Sequence, residues 1–297
     1  MTVHAVQPKD LTPLILPAAL LALALSALAV QLAPTLPDVF RSSDIILPAT
    51  VTLPPGHLTY RAEGHFLRDN VPMDAPITTV AFARPLEIMQ YQVSVEDYAR
   101  CVADNACAPA PNPGLDGTPV TGVSYQDAID YATWMSTVTN ETWALPTDAE
   151  WAYAAAERFE DDALELADNP ANPALRWIAN YRAEAARNRT ADPAPRPLGG
   201  FGANSNGIMD MSGNVWEWTD TCHRRVRVDA AGTVVSEQPA CTIRVLEGKH
   251  RAATSFFIRD AKSGGCSVGI PPDNLGFRLV RRPSWHESLI LRFFPIQ

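Results

Sequence analysis

Proline interrupts this chain throughout, and its clusters before residue 120 and between 170 and 200 set the kind of fold available. Each proline fixes φ and removes a backbone donor, so it ends helices and is excluded from central strands. With 26 prolines in 297 residues, the chain is predicted to form short elements, many loops and little regular secondary structure. A hydrophobic fraction of 46% still provides for a sizeable core, enough for one large domain or two small ones.

The segment Leu14–Val30 carries no charge. As a helix it would span roughly 25 Å, and close to the ~30 Å of a hydrocarbon core if Leu11–Ala33 is counted. Residues 1–33 therefore read as one hydrophobic helix with two open roles. As a signal peptide, it has Lys9 before the apolar run and small residues at Ala27-Leu28-Ala29 for cleavage. As a membrane anchor, it stays uncut; Asp10 directly after Lys9 weakens the basic start that a signal peptide needs. Either role places the rest of the chain in the periplasm or another extracytoplasmic space, inner-membrane anchored if the segment is kept. Residues 34–50 read as a linker, 51–282 as the main domain and 283–297 as a C-terminal extension.

Export permits disulfides. Cys101 and Cys107 enclose a short loop that suits a local staple. Cys222 and Cys241 bracket a polar stretch with Gly232, which suits a bridged hairpin, and Cys266 is left over. The alternative is five ordinary small buried residues. The charge balance, 24 Lys and Arg against 33 Asp and Glu, gives −9 and argues against a nucleic-acid partner. Arg224, Arg225 and Arg227 form a short basic cluster, read as a solvated turn or strand.

Local signals place several elements. Residues 77–93 read as two short strands split by Pro85. Ser94 with Asp97 resembles a capping box that opens a helix over 95–105. Ser124 caps a second helix along 125–139. Residues 142–146 read as a turn, and Thr147 with Glu150 forms a full capping box for a third helix. The acids from Glu157 to Asp168 read as a solvated face or an insertion. In 206–220, Trp216 and Trp218 share one strand face and Glu217 points the other way. A carboxylate between two tryptophans needs either donors or a cation.

Five segments together resemble one family: YQVSVEDYARCV, PVTGVSYQDAIDYATWM, ALPTDAEWAYAAA, NGIMDMSGNVWEWTD and NLGFRLVR. Their order and spacing are similar to those of the formylglycine-generating-enzyme, or sulfatase-modifying-factor, family. That family includes relatives in ergothioneine synthesis and pyoverdine maturation and nitrite-reductase accessory proteins. The resemblance implies a compact α+β domain related to C-type lectins. It also implies a structural calcium site at Asn214, the Val215 carbonyl and Glu217, where hard oxygen ligands suit Ca²⁺. Asn180 matches the place of a second calcium in the family.

The same resemblance exposes a departure. Formylglycine-generating members hold copper with two cysteines just after an R-G-G-S-aromatic segment, and thiolates suit Cu(I). Here that stretch, Arg244 to Phe257, has no cysteine, and Cys266 is single. Copper-dependent formylglycine formation is therefore not expected. His250 and Arg251 stand where the family has Ser and an aromatic; His250 and Cys266, with His223, are candidates for a mixed metal site. The expected function is that of an accessory or maturation factor binding a partner protein or peptide. The alternative is a metal-dependent oxidoreductase, with non-haem iron as its metal. A lectin-like glycan binder is permitted by fold analogy, but no residue supports it.

Overall fold

The computed structural model describes residues 47–161, 163–164, 194–260 and 274–283, with Leu175, Ile178, Ala179, Tyr181 and Arg182. The N-terminal apolar run, most of the 34–50 linker, Asn180, Cys266 and the 284–297 extension lie outside the described residues.

Among the described residues, twelve strands and three α-helices follow one another. The strands are β1 (Thr50–Leu53), β2 (Gly56–Arg61), β3 (His65–Arg68), β4 (Val71–Met73), β5 (Ile77–Phe82) and β6 (Leu86–Met89). After helices α1 (Val95–Ala103) and α2 (Tyr125–Thr139) come β7 (Thr142–Ala144) and helix α3 (Asp148–Ala155). The chain ends with β8 (Trp216–Val228), β9 (Val234–Glu247), β10 (Ala252–Ser255), β11 (Leu275–Gly276) and β12 (Val280–Arg282). One sheet has the order β1-β6-β12-β7. The other runs β10-β9-β8-β3-β4, with β11 also on β8, and β2 pairs with β5 alone. This is a mixed, sheet-rich α+β domain.

Two expectations need correction. Residues 142–146 are not a plain turn: Thr142–Ala144 is a strand paired with Val280–Arg282. Its partner lies far along the chain, so no local signal marks it. Nor are all elements short, since β8 has 13 residues and β9 has 14. Pro239 is tolerated inside β9 because β10 covers β9 only from Ile243 to Leu246, leaving an open edge at Pro239.

The helix starts follow their caps. The Ser124 and Thr147 side chains each accept from the backbone N–H three residues on, and Asp127 and Glu150 return the bond. Ser94 accepts from the Asp97 N–H. Each cap stabilises its helix by about 1 kcal/mol. Helix α2 ends at Asn140, whose left-handed φ of 55° stops the coil.

Three apolar cores result. The largest packs Tyr98, Tyr131 and Trp134 of α1 and α2 against Trp216, Trp218, Leu246 and Phe277. A second joins Ile88 and Val280 to Trp151 of α3. A third, around Phe66, Val226 and Val228, lies under the outer half of the β8–β9 hairpin. Cys101–Cys107 and Cys222–Cys241 are disulfides. The second spans a break in the hairpin, where β9 places Cys241, Thr242 and Ile243 between the partners of Cys222 and His223.

Candidate functional site

Glu217 lies at the start of β8, 1% exposed, on the side opposite the indoles of Trp216 and Trp218. Each tryptophan donates to a carbonyl, Trp216 to His250 and Trp218 to Val123. Glu217 accepts from four groups. Arg278 Nε reaches Oε2 at 2.6 Å, and Arg278 Nη2 reaches Oε1 at 2.7 Å. Gln92 Nε2 and Trp151 Nε1 each donate at 2.8 Å. Arg278 is itself fully buried and donates to the carbonyls of Met89, Gln90 and Met209. A buried carboxylate needs this degree of satisfaction.

These contacts bear on the calcium ligands implied by resemblance. The charge of Glu217 is matched by Arg278, and both its oxygens are taken by donors. The Asn214 amide is engaged with the Arg196 backbone, accepting from its N–H at 2.9 Å and donating to its carbonyl at 3.0 Å. With Arg278 in place, this arrangement does not fit a dication at Glu217, which would meet the guanidinium. The three donor residues, Gln92, Trp151 and Arg278, all lie in the quoted motifs, but none carried a signal of its role toward Glu217.

A second polar cluster sits where the chain turns from β9 into β10. Arg251 donates to Asp148 at 2.8 Å and to Glu247 at 3.0 Å, and both carboxylates are 1% exposed. Asp148 is the first residue of α3; its N–H donates to Thr221 Oγ1 at 2.8 Å, and its carboxylate accepts from Tyr60 at 3.0 Å. Burial, and then the nearby Asp148, hold the Glu247 carboxyl well above the usual carboxylate range, while Arg251 acts against them. Burial likewise pushes the Tyr60 hydroxyl up. Glu63, next to this cluster, is raised by burial to about 7, although Arg224 lies 2.6 Å from its Oε1. Asp148 and Glu247 thus share the one guanidinium of Arg251 in the interior. Hydrogen bonds close this cluster on several sides, so it positions the hairpin.

The weaker candidates separate. His250 is 8% exposed, its ring edge-on to Trp216 at 5.4 Å and its Nδ1 2.8 Å from the Arg251 carbonyl. His223 stands on the outer half of β8, and Cys266 lies outside the described residues. Among the described residues, no group of three or more His, Cys, Asp or Glu side chains could hold a metal ion. Gly248 lies flat on Trp216, where a Cβ would come within 2.9 Å of the indole, so this turn requires a residue with no side chain. No helix among the described residues is long and apolar enough to cross a membrane.

Residues 37–283 match the family described as sulfatase-modifying factor enzyme 1-like domain. The chain belongs to that family. A formylglycine-generating enzyme of Mycobacterium tuberculosis is 31% identical over 185 residues, which is 56% of this chain and 58% of that protein. A chaperone protein LppX of Paenibacillus barcinonensis is 31% identical over 153 residues, 47% of this chain and 49% of that one. Among solved structures, PvdO of Pseudomonas aeruginosa is 22% identical with a TM-score of 0.49, covering 79% of this chain and 94% of that one. The chain spans 58% and 49% of the length of these two sequence relatives.

Proposed function

We infer that this member of the sulfatase-modifying-factor family is an accessory or maturation factor that binds a partner protein or peptide outside the cytoplasm. The observation that carries this reading is the make-up of the Arg244–Phe257 hairpin. Where the family resemblance calls for a pair of thiolates, it holds an ion cluster, Arg251 with Asp148 and Glu247, and no cysteine. Carboxylates under a guanidinium lack the soft sulfur donors that Cu(I) requires. The scaffold is kept, through Glu217 and Arg278, while the oxidising pair is not. A relative named as a chaperone supports an assisting role. The segment Leu14–Val30 supplies export, with or without cleavage.

Two measurements on the full chain test this. Cysteine peptides incubated with the protein, copper and oxygen are expected to stay unmodified by mass spectrometry. Cross-linking in the periplasm, followed by purification, is expected to recover one partner polypeptide at near-stoichiometric yield. Catalytic conversion of the cysteine peptide, or no enriched partner, overturns the reading.

A further inference from the structure

Sequence order groups Arg224, Arg225 and Arg227, but strand β8 divides them. Arg224 turns inward, with Nε 2.6 Å from Glu63 and Nη1 2.9 Å from Glu237, and its guanidinium lies over Phe66. Arg225 and Arg227 take the opposite face and are exposed. Register extends that face across three strands. On β3, His65 pairs with Arg225 and Leu67 with Arg227. On β9, Ala240 pairs with His223, Gln238 with Arg225 and Ser236 with Arg227. Beyond β3, Pro72 of β4 pairs with Leu67.

Among the described residues, these paired positions hold two arginines, two histidines and no carboxylate. That is a concentrated positive face on a chain of net charge −9. Its field is felt locally: burial, then His65 and Arg225, hold the His223 imidazole below its ordinary range. Arg227 uses one nitrogen to donate to Asn70 at 2.8 Å, which fixes its guanidinium and leaves other donors.

We propose that this open face of the β3–β8–β9 sheet docks an acidic, extended segment of the partner polypeptide, laid along β8. The proposal rests on the accessory reading for the partner's existence and adds its chemistry. His223, Arg225 and Arg227 recur every second residue, a repeat of roughly 6.7 Å. An extended peptide shows alternate side chains to one side with the same repeat. Carboxylates at alternate positions therefore meet Arg225 and Arg227 in register, with His223 as a third polar partner along the same line, and arginine forks take carboxylates bidentately. A nucleic acid would need a longer basic track and would be repelled by the remaining acidic surface.

The test uses the full chain and a fluorescent peptide with glutamate at three alternate positions, followed by anisotropy at low salt. A glutamine peptide and an oligothymidylate of equal charge serve as comparisons. The glutamate peptide is expected to bind, to weaken with salt, and to lose at least about tenfold in affinity in the Arg225→Glu/Arg227→Glu variant. Both side chains are exposed, so the variant's melting temperature is expected to stay unchanged. At pH 8 binding is expected to rest on Arg225 and Arg227, because burial, His65 and Arg225 hold the His223 imidazole below its ordinary range. Equal binding of the glutamine peptide, full binding by the variant, or tighter binding of the oligothymidylate overturns the proposal. Cross-linked partner capture separates the two readings. If the variant captures the partner normally, the face assignment fails and the accessory role stands. If the wild-type chain captures nothing yet binds the peptide, only the accessory role fails.

Discussion

Arg278 grips Glu217 through both carboxylate oxygens, at 2.6 and 2.7 Å, across 61 residues of sequence. Both side chains are removed from water, so the pair is costly to break from one side. Arg278→Met is expected to destabilise the domain by about 3–5 kcal/mol in urea unfolding. Adding Glu217→Gln to that variant should recover part of the loss. An unchanged urea midpoint for Arg278→Met would remove the pair from any structural role.

Calcium addition distinguishes two ways of neutralising Glu217. With Arg278 as its counter-charge, millimolar Ca²⁺ is expected to leave the melting temperature of the wild-type chain unchanged. A ligand that binds only the folded state adds about 2.7 kcal/mol of stability at a hundredfold excess over its dissociation constant, and so raises the melting temperature. A clear rise, abolished in Glu217→Gln, would show a cation at the carboxylate.

The stability of this domain should respond to pH through Glu63, whose folded pKa is about 7 because burial disfavours its charge. One of its oxygens, Oε2, has no hydrogen-bond partner among the described residues. A raised folded pKa means that the contribution is complete below the unfolded value, near 4.5, and is lost as pH rises through about 7. Glu63→Gln should therefore match the wild type at pH 4 and exceed it at pH 8, by at most about 3 kcal/mol. His223, depressed in the fold, acts in the opposite direction but equally in both proteins, so the difference isolates Glu63. A variant less stable than wild type at pH 8 would contradict this.

Removal of the Cys222–Cys241 bridge is expected to cost about 3 kcal/mol, given its sequence separation of 19. The loss should be concentrated in the outer hairpin. Hydrogen exchange in Cys222→Ala/Cys241→Ala should rise for Val226 and Val228 before it rises for Trp218. Uniform acceleration along β8 would show that the bridge does not separate the two halves.

How much of this could be read from the sequence depended on distance along the chain. Ser124 with Asp127 and Thr147 with Glu150 were legible because a cap joins residues three apart. The Cys222–Cys241 hairpin was legible because Gly232 lies between its arms. Thr142–Ala144 was not, since its strand character comes from Val280–Arg282. The need of Glu217 for partners was visible in its place between two tryptophans, but the donors, Gln92, Trp151 and Arg278, come from three remote segments. Spacing alone also merged Arg224 with Arg225 and Arg227, which the alternation of β8 sends to opposite faces.

Between β11 on one sheet and β12 in the other run only Phe277, Arg278 and Leu279. This three-residue bridge has almost no slack, and its central side chain is clamped at the far end by Glu217. The two sheets therefore cannot hinge apart like jaws. The proposed partner would then meet the surface as it stands, and selectivity should arise from shape and charge already in place, with little induced closure to slow arrival or release.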